Sequence, residues 1–112
     1  IEKGPLNIFV QINIDNEETK SGLKINELEK FLYEVIELKN LELRGLMAIP
    51  RLREKEVDQR QVFKQIRDEL INLQNKGFKL DMLSMGMSSD YGAAIKEGAT
   101  MIRIGTDLFG KR

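Results

Sequence analysis

Two short runs near the carboxyl end of this 112-residue chain have the residue types that hold an anion. In residues 85–90, Met-Gly-Met-Ser-Ser-Asp leads into a helical run over 91–97. In residues 101–107, Met-Ile-Arg-Ile-Gly-Thr-Asp leads into Leu108 and Phe109. Each run passes from an apolar strand through glycine and hydroxyl residues to a helix start. Glycine lets a bound group approach the backbone closely. The first N–H groups of a helix have no intrahelical partner and can point at phosphate oxygens. One such turn is a weak signal, because Ser88 also reads as an ordinary N-cap and Gly105-Thr106 as an ordinary turn. Two in consecutive strand–helix units favour an anion site, placed as parallel α/β barrels place phosphate after their last strands.

Arg103 sits between those turns. Alternation along its strand puts Met101 and Arg103 on one face and Ile102 and Ile104 on the other. If the isoleucines pack on helices, the arginine faces a lumen; otherwise it is a strand-end arginine in solvent or paired with a carboxylate. Other chemistries are excluded by composition. The chain has no cysteine and no histidine, so disulfides, thiolate nucleophiles and a histidine triad cannot be built from it. Eighteen Lys+Arg against eighteen Asp+Glu leave a net charge of zero. No basic stripe suggests nucleic acid, and no apolar run is long enough for a membrane span. The acids of 15–22, Asp-Asn-Glu-Glu-Thr-Lys-Ser-Gly, lack the full oxygen-ligand spacing of a calcium loop and read as a solvated loop.

Strands and helices in alternation must position these turns. Residues 6–14 alternate, with Ile8, Val10, Ile12 and Ile14 on an aliphatic face and Phe9, Gln11 and Asn13 on a mixed one. A helix follows over 27–38, opened by a capping box of Asn26 with Glu29 and carrying an apolar stripe of Leu28, Phe31, Leu32, Val35 and Ile36. A second strand over 43–49 stops at Pro50. The next helix is opened by Asp58 with Gln61, buries Val62, Ile66, Leu70 and Leu73, and ends at Gly77. Strand 80–85, helix 90–97 and strand 100–104 complete the series. Such alternation predicts one α/β domain over 1–112 with a parallel sheet. Periodicity leaves an open sheet and a barrel as alternatives. Met47, Met82, Met85 and Met87 could line a ligand, but as common gap-fillers they are by default expected in the core.

Taken together, the motifs resemble one family. Gln11 to Asn13, Glu17 to Gly22 and Gly45 to Pro50, then Leu-Ser-Met-Gly-Met-Ser at 83–88 and Met-Ile-Arg-Ile-Gly-Thr-Asp-Leu-Phe-Gly at 101–110, are similar in content and order to the pyridoxal-phosphate homeostasis proteins. Their fold is like the barrel domain of alanine racemase. The resemblance implies the C-terminal half of such a (β/α)8 barrel, with pyridoxal 5'-phosphate as cofactor. It implies that Ser88, Gly105 and Thr106 hold the phosphate and that the Arg103 guanidinium faces the pyridine nitrogen. An arginine there stays charged and leaves that nitrogen unprotonated, which makes the ring a weaker electron sink. The lysine that forms the Schiff base belongs, by the same resemblance, to the other half, and none of Lys20, Lys24 or Lys111 has a matching context.

The expected function is therefore non-catalytic, cytoplasmic cofactor binding in homeostasis. A racemase-like enzyme and a phosphate-binding half-barrel without the cofactor are the alternatives. Expected partners are pyridoxal phosphate and either the missing N-terminal half or a second copy of the chain, with neither nucleic acid nor membrane.

Overall fold

The computed structural model describes residues 6–17 and 22–102. Its order is β1 (Leu6–Ile12), α1 (Ile25–Val35), β2 (Leu41–Ala48), α2 (Glu56–Asn75), β3 (Met82–Ser84) and α3 (Tyr91–Lys96). The three strands lie in sequential order β1-β2-β3, and both pairings are parallel. Parallel neighbours cannot be joined by a hairpin, so each connection is a crossover carrying a helix. Of the fourth strand expected over 100–104, residues 103–104 lie outside the described residues, and Met101 makes an isolated parallel bridge to Ser84. Among the described residues the sheet is open.

Register sorts the side chains into two faces. Val10, Leu46 and Leu83 form one row across the sheet, and Ile12 with Ala48 the next. All five are buried against the helices, with Leu28 and Leu32 from α1 and Val62, Phe63, Ile66, Leu70 and Leu73 from α2. Each fully buried leucine, isoleucine or phenylalanine among them stabilises the fold by about 1.5–3 kcal/mol relative to exposure. On the opposite face Phe9, Gly45 and Met82 form one row and Gln11, Met47 and Ser84 another. Phe9, Gln11, Met47 and Met82 are only half-buried there. The aliphatic and mixed faces of the first strand are thus as the alternation predicts. Met85 joins the core, whereas Met47 and Met82 lie on the open face and Met87 is exposed, contrary to the expected core placement of all four.

Several boundaries shift for local reasons. The first helix starts earlier than its expected capping box. Glu27, not Glu29, accepts a hydrogen bond from the N–H of the N-cap Lys24 at 3.0 Å. The Glu27 carboxylate near the helix start also favours the dipole. Similarly, α2 begins at Glu56 behind the extended Lys55, so Asp58 lies inside the first turn instead of capping it. Asn13 and Ile14 fall outside β1 because Leu23 takes over the end of that strand. Its N–H donates to the Gln11 carbonyl at 2.9 Å and its carbonyl accepts from Asn13 at 2.8 Å.

Candidate functional site

The loops following the strands gather at the carboxyl-end rim of the sheet, where α/β proteins place their sites. The first of the two expected anion turns, residues 85–90, lies there. Gly86 has φ +106°, and a Cβ on it would stand 2.7 Å from the Ala94 side chain, so only glycine lets α3 pack this close behind β3. Beyond it the chain folds into a turn held by Asp90, whose buried carboxylate accepts the Met87 N–H at 2.8 Å while the Asp90 N–H donates to the Met87 carbonyl at 3.1 Å. Asp90, not Ser88, is the N-cap of α3. Ser88 is half-buried inside the turn. Among the described residues, the N–H groups of Ser88 and Ser89 donate to no other group. They are therefore available to an anion. Because α3 has six residues, its macrodipole adds less than a longer helix would, and the turn's own donors carry most of the capacity.

The second anion turn is outside the described residues, and with it Arg103, Gly105 and Thr106; Lys20 is outside them too. The strand leading there is described for its first three residues. Met101 bridges Ser84 and so faces the open side with Met47 and Gln11. A Cβ at Gly86 would come within 3.2 Å of the Ile102 Cγ2, which puts Ile102 on the helix side. The expected alternation of Met101 and Ile102 is observed.

Next to the first turn lies a polar network that periodicity does not reveal. Asp15 belongs to the acidic stretch after β1, yet its side chain is only 7% exposed. Its carboxylate accepts the Arg51 backbone N–H at 2.6 Å, the Arg53 Nη2 at 2.6 Å and the Arg53 Nη1 at 3.5 Å. Arg53 Nη1 also donates to the Arg51 carbonyl at 2.7 Å, and Gln59 of α2 donates to the Arg53 carbonyl at 2.6 Å. Burial alone would raise the Asp15 carboxyl, but the Arg53 bond, the Arg51 N–H and the two positive charges outweigh it and hold the group below the usual aspartate range. Asn13, two residues earlier, closes the same loop by donating to the Glu17 carbonyl at 2.6 Å and accepting its N–H at 3.2 Å. Opposite charges spaced 36 to 38 residues apart were the only sequence signal for this pairing, and many other pairs in the chain share it.

A second carboxylate, Glu97 at the end of α3, is likewise buried. It accepts Arg60 Nε at 2.7 Å and lies 3.0 Å from Arg67 Nη1, both arginines coming from α2. Among the described residues no group of three potential ligands could hold a metal ion, and no helix is long and apolar enough to cross a membrane.

Comparison with known proteins is consistent with this geometry. The family model described as alanine racemase, N-terminal domain, matches residues 2–112. The chain is 46% identical over 111 residues to a pyridoxal phosphate homeostasis protein of Escherichia coli strain K12, covering 99% of this chain and 47% of that protein. It is 49% identical over 108 residues to the protein of the same name from Pseudomonas aeruginosa, covering 96% and 46%. The chain thus spans about half the length of these relatives. Among solved structures it superposes on PipY of Synechococcus elongatus PCC7942 without PLP, with a TM-score of 0.86 at 35% identity, covering 95% of this chain and 50% of that one. Against PipY with PLP bound the TM-score is 0.82 at 34% identity, covering 96% and 50%. With its parallel βα units and a family match running almost from end to end, the chain belongs to the alanine racemase N-terminal-domain family.

Proposed function

We propose that this chain is the C-terminal half of a (β/α)8 barrel that binds pyridoxal 5'-phosphate and serves its homeostasis in the cytoplasm without catalysing a reaction on it. The observation that carries the reading is the 46% identity over 111 residues to a relative named for pyridoxal phosphate homeostasis. The residues fit the group. The Ser88 turn offers two free N–H donors at the rim, and the open face supplies a wall of Phe9, Gln11, Met47 and Met82 of the mixed apolar and polar kind that ligand sites use.

In this reading the Ser88 hydroxyl and turn, with Gly105 and Thr106, bind the phosphate, and Arg103 faces the pyridine nitrogen. The cofactor, when bound, supplies an aldehyde and an electron-withdrawing ring. A permanently charged guanidinium at the ring nitrogen keeps a proton off it, which suits carrying the cofactor better than stabilising a carbanion. The lysine that holds the cofactor covalently comes from the other half of the barrel.

Titration of the chain with pyridoxal phosphate, followed by backbone amide shifts and by borohydride reduction with peptide mapping, tests the reading. Saturable shifts at Ser88, Gly105 and Thr106 without stoichiometric labelling of any one lysine are expected. Silent amides at those three positions would overturn the phosphate assignment. Stoichiometric labelling of one lysine would overturn the assignment of the anchoring lysine to the other half.

A further inference from the structure

We infer that Asp15 and Arg53 are positioning residues that fix the Ser88 turn from two loops away, an inference that rests on the Ser88 turn being the anion site. Three successive rim loops are joined in series. Asp15, after β1, grips Arg51 and Arg53, after β2, through three hydrogen bonds. Arg51 and Arg53, with Gln59, Val62 and Phe63, then line a crevice whose far wall is Asp90, and the crevice is too tight to admit water. Asp90 in turn holds Met87 and so sets where Ser88 and Ser89 point.

The Asp15 link has a single geometry. A guanidinium fork on a carboxylate is directional, and both Arg53 prongs are used, Nη1 being shared between Asp15 and the Arg51 carbonyl. Gln59 fastens the same loop to α2. With its charge partner removed, the Arg53 guanidinium keeps only the Arg51 carbonyl as acceptor and is no longer held across the loop. The wall of the crevice is then released, water reaches the Asp90 carboxylate, and its bond to Met87 competes with solvent. The turn loses the rigidity that lets its donors meet an anion without further ordering.

The test uses the full chain and inorganic phosphate as the probe, with wild type, Asp15→Asn, Arg53→Lys, Arg53→Gln and the Asp15→Asn/Arg53→Gln double variant. In the unliganded Asp15→Asn protein the amides of residues 88–90 should shift. Phosphate affinity should fall about three- to thirtyfold, the range carried by packed networks between sites. The double variant should be no weaker than the worse single one, since both substitutions break one link. Arg53→Lys keeps the charge without the fork and should fall between wild type and Arg53→Gln. Unchanged amides at 88–90 in a folded Asp15→Asn, or a lowered melting temperature with phosphate affinity intact, would overturn the inference. If Asp15→Asn does not fold, Arg53→Lys is judged by the same amides. A wild-type protein that ignores phosphate removes the anion reading of Ser88, and the unliganded amide shifts then decide the clamp on their own.

Discussion

At the scale of single residues, the tightest glycine among the described residues is Gly45. It pairs with Met82 across the β2–β3 ladder, and a Cβ built on it would lie 1.9 Å from the Met82 carbonyl oxygen. The obstacle is backbone, so no rotamer change relieves it, and the strands would have to part. Overpacking of a well-filled site typically costs about 1–3 kcal/mol. Gly45→Ala should reach at least the upper end of that range, measured as a shift in the urea midpoint at unchanged slope. A variant as stable as wild type would mean that β3 approaches β2 less closely than described. Gly77, where a Cβ would meet nothing within 4 Å, differs in kind: only its φ of +102° is constrained, as a helix-ending glycine requires.

Between elements, the joint that matters most for the site is α2 against α3. Ala93 and Ala94 give a small-residue face that brings α3 close, and both are buried in the core. Glu97 then locks the far end of α3 to Arg60 and Arg67, which lie seven residues, or about two turns, apart on α2. A carboxylate taken out of water must be satisfied, and here two guanidiniums do so. Glu97→Ala would leave both arginines facing each other without their shared acceptor, with a loss of about 1–3 kcal/mol. That figure is below the penalty for a wholly buried pair because the arginine side chains are 46% and 34% exposed. The neighbouring Lys96 to Glu56 pair is exposed on both sides, so Lys96→Ala should stay within about 0.5 kcal/mol of wild type. Chemical denaturation of the two variants side by side checks the contrast; equal effects would show that Glu97 is no more than a surface contact.

For the whole molecule, the open sheet sets the expectation. The outer edge of β1 is occupied at its carboxyl end by Leu23, and among the described residues nothing pairs with the rest of it. Apolar side chains are exposed on β1, where Leu6 is at 69%, and just past α1, where Ile36 and Leu38 are at 53%. Unpaired strand edges and uncovered apolar surface favour association. We therefore expect the chain alone to associate, with the other half of the proposed barrel or with a second copy. Sedimentation over a concentration series should show mass rising with concentration, and a cooperatively folding monomer at every concentration would defeat that expectation.

Much of this fold is legible in the sequence because it depends on local periodicity. The period-two alternation of residues 6–14 and the helical stripes of α1 and α2 determine the elements and, through the length of the connections, a parallel sheet, and most of the inward faces, although Phe31 and Ile36 of the expected first stripe are exposed. Glycine and hydroxyl residues mark the Ser88 turn in the same local way. Helix starts are less legible, because the N-caps Lys24 and Lys55 are not capping residues by type. Only the tertiary structure decides that Asp15 meets Arg53, that Glu97 meets Arg60 and Arg67, and that Gly45 faces the Met82 carbonyl. These contacts join residues 30 to 38 positions apart. Their partners are chosen by strand register and loop path, and a chain with eighteen charges of each sign offers too many equivalent pairs for composition to select among them.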